Sequence, residues 1–428
     1  MSLEVLEKIE RLVKAGATII GPKPETTVGL RNMPNAEKRL KKVADALWQR
    51  SPLNSPKGDF VVENGYGKGK VVWGKTIRET LENKGVVADF TYLSSDDLLK
   101  QNTRSQRPKN HVQIPQTTFI DYIHRTIHDT GGNDSIQIYY VVNRLERPEF
   151  LQCSFRVTNM QPELWYPENG KMVPVNVYIQ KDGHTCLPLH LDSFGSVFVV
   201  FRRAPQQAPI TAIWLDGKEL FPEPSELDWL DAPIFEYLSD GKLAFFRTGT
   251  FTLQQGGKIT EKPVSSPAVQ EIKGAWRVSF DPRWGVTDDV TFPKLVSWTE
   301  HTHPDIRYYS GAAVYHQAFT ISEDILKSFR VRLNLGELHN LAEVHINGKN
   351  AGVWWKKPYA DDISDFVQAG ENTLEITVVN LWPNRLIGDL FLPENQRRTK
   401  TNVVKFTPET PLLPSGLIGL VYLSFGIK

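Results

Sequence analysis

The clearest pattern of apolar and polar positions in the chain lies between residues 333 and 389. Apolar and polar side chains alternate strictly over residues 342–346 and again over 374–378, which predicts two β-strands with one buried face each. The dipeptide Asn347-Gly348 follows the first of these strands and is typical of a two-residue hairpin turn. The pattern therefore predicts a β-sandwich whose loops are rich in aromatic residues.

Residues 1–105 show a different pattern, in which helical and strand-like segments alternate. This order predicts an α/β domain with parallel strands. The domain begins on an amphipathic helix whose apolar face would normally pack on a preceding strand. We therefore expect the α/β domain to be truncated and the natural polypeptide to begin upstream. The predicted helices cover residues 3–14, 35–49 and 76–84, and the predicted strands cover 17–20, 70–73 and 86–89.

A glycine-rich run over residues 64–74 has two interpretations. It could form a phosphate-binding loop, but such loops follow a strand and open a helix. This run precedes a predicted strand instead. A tight turn is the favoured interpretation.

Short β runs separated by turn residues dominate the rest of the chain. They predict an antiparallel β-sandwich over residues 106–262 and a second sandwich, a jelly roll, over 263–428. Residues 258–267 contain two prolines and no apolar periodicity, which predicts a linker. The fold class expected is therefore mainly β. The predicted strands of the middle domain cover residues 119–127, 135–143, 149–157, 173–179, 184–189 and 196–202.

Charge and composition exclude several classes of partner. The 428 residues carry 50 Lys and Arg against 49 Asp and Glu, and no basic run is long enough to favour nucleic acid or an anionic membrane. The longest apolar runs are strand-sized, so no membrane span is predicted. Cys153 and Cys186 lie in strand-like segments of one predicted domain. A single disulfide and two buried free thiols both fit them, and the free thiols are favoured.

The loop containing Glu300, His301 and His303 is a candidate ligand site. A carboxylate and two imidazoles this close in sequence could bind zinc or contact another ligand. No fourth metal ligand can be assigned, however, and Pro304 indicates a loop. A solvated loop is the favoured interpretation, and we expect neither a bound metal nor a cofactor.

The pair Trp354 and Trp355 ends a predicted strand and is followed by Lys356. Adjacent side chains of a strand point to opposite faces, so one ring should lie in the core and the other outside. The outer ring could form a platform for a sugar, with the lysine bonding hydroxyl groups, or it could cover a neighbouring domain. Trp298 is a further candidate for contact with carbohydrate.

Polar residues in an apolar loop form the last group of candidates: Asn384, Arg385 and Asp389. An Arg–Asp pair of this kind can pin a loop to the sandwich or to another domain, and breaking a buried pair costs about 3–5 kcal/mol. A structural or docking role is favoured. Glycoside cleavage would need two suitably placed carboxyl groups, but no such pair can be chosen from 49 acidic residues, so the catalytic residues remain unassigned.

Several motifs resemble one family of enzymes. The segments WRVSF (276–280), SWTEH (297–301), NRLIGD (384–389) and LLPSGLIG (412–419) resemble the C-terminal part of α-L-rhamnosidases of glycoside hydrolase family 106. The jelly roll is similar to the sugar-binding domain of the β-galactosidase family. Residues 12–24 resemble a flavodoxin-like domain that follows the catalytic barrel in such enzymes. The segments at 136–144 and 162–171 resemble the sandwich after it.

The resemblance implies glycosidase ancestry without the catalytic barrel, which no part of this chain matches. It implies a non-catalytic portion that supports an upstream barrel, in cis or in trans, and binds carbohydrate, including rhamnose-containing glycans. It also implies export to the bacterial periplasm or beyond, if the natural N-terminus lies upstream. A free-standing carbohydrate-binding protein, with Trp298, His301 and Trp354 or Trp355 at its site, is the alternative. A cryptic glycosidase has the least support.

Overall fold

The computed structural model describes residues 1–29, 32–48, 62–94, 119–128, 135–222, 234–402 and 405–427. The chain divides into two units, residues 1–89 and 90–428. Each unit has its own buried apolar core. The three-domain boundaries expected from the sequence remain a prediction.

The smaller unit places two helices against a three-stranded sheet. Its elements, in chain order, are α1 (Leu3–Lys14), β1 (Thr18–Ile20), α2 (Asn35–Trp48), β2 (Val62–Tyr66), β3 (Gly69–Trp73) and α3 (Ile77–Glu82).

The amphipathic pattern of the two long helices explains the core of the smaller unit. Leu6 of α1 and Leu40 of α2 are fully buried with Val71 of β3, as expected when apolar residues recur at helical spacing. Strand β3 pairs in parallel with β1 and antiparallel with β2. The sheet is therefore mixed, whereas the sequence predicted parallel strands. The turn between β2 and β3 confirms a tight hairpin in the glycine-rich run. The flavodoxin-like character of this unit remains a prediction.

The larger unit begins with the strands of a first β-sandwich and a third sheet. These strands are β4 (Phe90–Ser94), β5 (Ile120–His128), β6 (Ser135–Asn143), β7 (Glu149–Phe155), β8 (Gln161–Trp165), β9 (Met172–Pro174), β10 (Ile179–Lys181), β11 (His184–Leu191), β12 (Ser196–Arg203), β13 (Ile210–Leu215) and β14 (Lys218–Phe221).

The remaining elements include the jelly roll. They are β15 (Phe235–Tyr237), β16 (Leu243–Phe245), β17 (Gly249–Gln255), β18 (Lys258–Val264), β19 (Gln270–Glu271), β20 (Trp276–Phe280), β21 (Val290–Phe292), α4 (Pro304–Arg307), β22 (Ala312–Ile321), α5 (Glu323–Ser328), β23 (Phe329–Asn334), β24 (Glu337–His339), β25 (Leu341–Ile346), β26 (Lys349–Trp354), β27 (Ala360–Asp362), β28 (Gly370–Val379), α6 (Pro383–Asp389), β29 (Gly416–Gly419) and β30 (Tyr422–Ile427).

Two antiparallel sheets form the first sandwich, with strand orders β10-β11-β7-β4 and β5-β6-β12-β8-β9. Inward residues such as Leu151 of β7 and Val199 of β12 share one core. The strand predicted at residues 86–89 is wrong, since the strand occupies Phe90–Ser94 instead. Phe90 is buried in the sandwich core, where β4 pairs with β7. This long-range pairing determines which residues form the strand.

A third sheet, ordered β14-β13-β17-β18, overturns the predicted linker at residues 258–267. Residues 258–264 form β18, which pairs along its whole length with β17. Pro263 is tolerated because β18 lies at the edge of the sheet, where the missing N–H breaks no interior ladder. Composition alone did not reveal this edge strand.

The jelly roll packs a sheet ordered β21-β20-β22-β28-β25-β26 against one ordered β15-β16-β30-β23-β27. Alternate residues of both sheets meet in one core, for example Ile376 of β28 and Leu333 of β23. The mainly β fold class and the final jelly roll are confirmed. Cys153 and Cys186 are free thiols, and no described helix has the length and apolar character needed to cross a membrane.

Candidate functional site

A cleft of about 1180 Å³ opens within the larger unit, between segments of the first sandwich and the jelly roll. Its walls come from residues 146–150, 164–171, 188–193, 235–237, 332–336, 350–361 and 420–424. These segments are far apart in sequence, so the cleft exists only when the two parts of the unit are folded together. The volume exceeds that of a typical small-molecule site of about 300–1,000 Å³.

The tryptophan pair at the end of β26 lies on the wall of this cleft. Trp354 is 7% exposed and belongs to the jelly-roll core, whereas Trp355 is 56% exposed. The prediction of one inner and one outer ring is therefore confirmed. Val353 and Leu420 also line the cleft and are exposed, so Trp355 is part of an apolar surface that is open to a ligand.

Lys356 follows the pair and connects the two walls of the cleft. Its Nζ lies 2.9 Å from Oε1 of Glu168 and 3.2 Å from Oδ2 of Asp192. Burial alone would lower the pKa of Lys356, but Asp192 and Glu168 outweigh that effect and raise the pKa. An ammonium group has three N–H donors, so two ion pairs leave one donor for a ligand. Lys356 thus chiefly connects the jelly roll to the sandwich through these two ion pairs.

A second ion pair lies in the cleft between Arg332 of β23 and Glu236 of β15. Burial would lower the pKa of Arg332, and Glu236 counteracts this so that the pKa is raised. The guanidinium therefore remains charged and is neutralised by its partner. Sequence reasoning missed both residues, because nothing in the local pattern indicates that strands about a hundred positions apart meet here.

Three aromatic or imidazole side chains add neutral polar groups to the cleft wall. Burial lowers the pKa of His190 and raises the pKa of Tyr166 and Tyr237, which favours the uncharged form of each group near neutral pH. Among the described residues, the hydroxyl of Tyr237 and Nε1 of Trp354 are buried without a hydrogen-bond partner. Buried polar atoms are usually paired, so these two are exceptions within the wall of the cleft.

The loop with Trp298, Glu300, His301 and His303 does not line the cleft. Trp298 is fully buried, and its Nε1 donates to the hydroxyl of Tyr315 at 2.6 Å. The buried position of the ring favours a packing role, and contact between Trp298 and a sugar remains a prediction.

The other members of that loop are held by local contacts. Glu300 is exposed. The ring of His301 lies 5.4 Å from that of Phe292. Nδ1 of His303 accepts a hydrogen bond from the N–H of Asp305 and caps α4. In the described part of the chain, no group of three or more His, Cys, Asp or Glu residues is arranged to hold a metal ion.

Asn384, Arg385 and Asp389 lie on α6 and are almost fully buried. Asn384 donates to the carbonyl of Leu413 at 2.7 Å. Nη2 of Arg385 lies 2.9 Å from Oδ1 of Asp389, whose other oxygen accepts from the N–H of Thr399. The bonds to Leu413 and Thr399 hold α6 against the segments that follow it, and the Arg385–Asp389 pair lies within the helix. Docking of this region to another domain remains a prediction.

Comparison with known proteins agrees with the architecture. Residues 1–180 match the family described as alpha-L-rhamnosidase, and residues 269–393 match the sugar-binding domain of glycosyl hydrolases family 2. A solved rhamnosidase from Novosphingobium sp. PP1Y is 29% identical, with a TM-score of 0.68 over 99% of this chain and 32% of that one. A Formosa agariphila protein provisionally named a β-glucuronidase is 24% identical over 95% of this chain.

The chain spans only part of these relatives, namely 46% of the Formosa protein and about a third of the rhamnosidase. Two separate regions of the chain nevertheless match glycoside hydrolases independently. The resemblance expected from the sequence is thus confirmed: the chain is α-L-rhamnosidase-like and carries a domain of the family 2 sugar-binding type.

Proposed function

We propose that this chain is a non-catalytic portion of a rhamnosidase-like glycoside hydrolase and that it binds carbohydrate in the cleft. The observation that carries the proposal is the exposed ring of Trp355 on the wall of a cleft of about 1180 Å³. Trp355 itself belongs to the region that is similar to sugar-binding domains. The apolar face of a pyranose stacks on such a ring. The volume is sufficient for several sugar units.

The binding expected from this arrangement is weak. An exposed aromatic ring contributes roughly 1 kcal/mol beyond area burial, which is about fivefold in affinity. The exposed amides of Asn169 and Asn350 and the remaining N–H of Lys356 would add hydrogen bonds to sugar hydroxyls. Affinities in the micromolar to millimolar range are therefore the relevant ones to measure.

Binding is tested by calorimetric titration of the purified chain with rhamnose-containing oligosaccharides up to millimolar concentration. Replacing Trp355 by Ala should weaken binding at least about fivefold, while Trp355→Phe should retain most of it. Trp382→Ala is the matched control, because Trp382 has a similar exposure of 57% but lies outside the cleft. Equal loss in Trp355→Ala and Trp382→Ala, or no saturable binding of the unmodified chain, would overturn carbohydrate binding in the cleft.

The second part of the proposal concerns catalysis. The relatives are more than twice as long as the segment matched here, and we infer that their additional length supplies the catalytic barrel that this portion supports. The purified chain should not hydrolyse an aryl rhamnoside. Hydrolysis by the chain that is lost on replacing a single carboxylate of the cleft, such as Glu168, would contradict a non-catalytic role.

A further inference from the structure

The charges of the cleft indicate which class of sugar it accepts. Among the residues that the structure describes, five carboxylates and four Lys or Arg side chains line it, which leaves a small excess of negative charge. The two inner cations are already neutralised, since Lys356 is bound by Glu168 and Asp192 and Arg332 is bound by Glu236. Of the other two, Lys357 is exposed, so salt and water screen its charge, and Lys171 is half-buried.

A sugar carboxylate would be poorly accommodated in such a cleft. Carboxylates are recognised best by a bidentate arginine fork, and Nη1 of Arg332 is already bound to Glu236. A carboxylate that leaves water without gaining a cation pays its desolvation cost uncompensated. It would also be repelled by the three carboxylates that hold the inner cations.

An uncharged sugar meets no such obstacle. It needs only an apolar platform and neutral hydrogen-bonding groups, which Trp355 and the exposed amides of Asn169 and Asn350 provide. We infer that the cleft selects uncharged glycans and rejects uronic acids. The inference rests on the proposed carbohydrate binding and separates the two kinds of sugar after which the relatives are named, rhamnose and glucuronic acid.

The test uses two ligands that differ in one group. One is a glucuronosyl-rhamnose disaccharide, and the other is the glucosyl-rhamnose obtained by reducing its carboxyl group to the alcohol. Calorimetric titration at pH 7 and low ionic strength should show the neutral disaccharide binding at least tenfold more tightly. Affinities within threefold of each other, or tighter binding of the uronate, would overturn the inference while leaving carbohydrate binding intact. Binding of neither ligand at millimolar concentration would instead refute the proposed function.

Variants of the cleft test the cause of the selectivity. Glu236→Gln releases Arg332 and should raise the affinity for the uronate about tenfold, so that the discrimination disappears. Glu146→Gln is the matched control, because it removes the same charge from a lining residue without releasing Arg332, and it should change the discrimination by less than threefold. If Glu236→Gln does not fold, Glu168→Gln frees part of Lys356 while Asp192 still holds it. Unchanged discrimination in the releasing variant would contradict the inference.

Discussion

The adjacent residues Trp354 and Trp355 differ in exposure because a strand directs successive side chains to opposite faces. At the end of β26, Trp354 enters the jelly-roll core and Trp355 faces the cleft. This outcome could be predicted from the sequence, since alternation is a local property. The burial of Trp298 could not, because it depends on the distant residues Phe280 and Tyr315 that surround its ring.

Replacing Trp298 by Ala should separate packing from binding. The variant loses a fully buried ring and its hydrogen bond to Tyr315, and large-to-small changes of this kind cost about 3–5 kcal/mol. We expect a clear fall in the urea midpoint followed by near-ultraviolet circular dichroism. Trp355→Ala should leave the same midpoint almost unchanged. A stable Trp298→Ala variant that fails to bind sugar would argue that this residue contacts the ligand after all.

At the scale of elements, local turn chemistry was the most reliable guide. The β25–β26 hairpin forms at Asn347-Gly348 as the sequence predicts, with φ values of 52° and 73°. The strand β18 was missed because the two prolines of residues 258–267 suggested a linker, although its pairing with β17 is complete. An edge strand tolerates proline without a local sign that distinguishes it from a linker.

The hairpin turn offers a test of backbone strain alone. A side chain added at Gly348 would meet no atom within 4 Å, so the substitution Gly348→Ala acts through its positive φ and should destabilise the unit by about 1–2 kcal/mol. Thermal unfolding measures the effect. Gly65→Ala is the control, since that glycine is equally uncrowded and lacks a positive φ, and it should change stability little. Equal effects of the two substitutions would contradict a strained turn.

At the scale of the whole molecule, the cleft is a product of long-range contacts. Lys356 forms ion pairs with Glu168 and Asp192, which are more than 160 residues away in sequence. No periodicity or motif in the sequence predicts these ion pairs. The resemblance to glycoside hydrolases could be predicted from short motifs, and so could the sandwich and jelly-roll order. The charge balance of the cleft could be found only from the structure.

The burial of His190 in this cleft makes the stability of the larger unit depend on pH. Burial lowers the pKa of His190, and Arg332 and Lys356 also oppose its protonation, against the attraction of Asp192 and Glu236.

Because the folded-state pKa lies below the ordinary value of 6.5, the unfolded chain binds a proton that the folded chain does not. The contribution of the neutral ring is therefore present above about pH 6.5 and is lost as the pH falls towards the folded-state pKa. The fall in Tm between pH 7.5 and 5.5 should be smaller in His190→Gln than in the unmodified chain. His128→Gln, which changes an exposed histidine of β5, should keep the unmodified profile. If the two variants lose stability in parallel over this range, the buried imidazole is not the group that titrates.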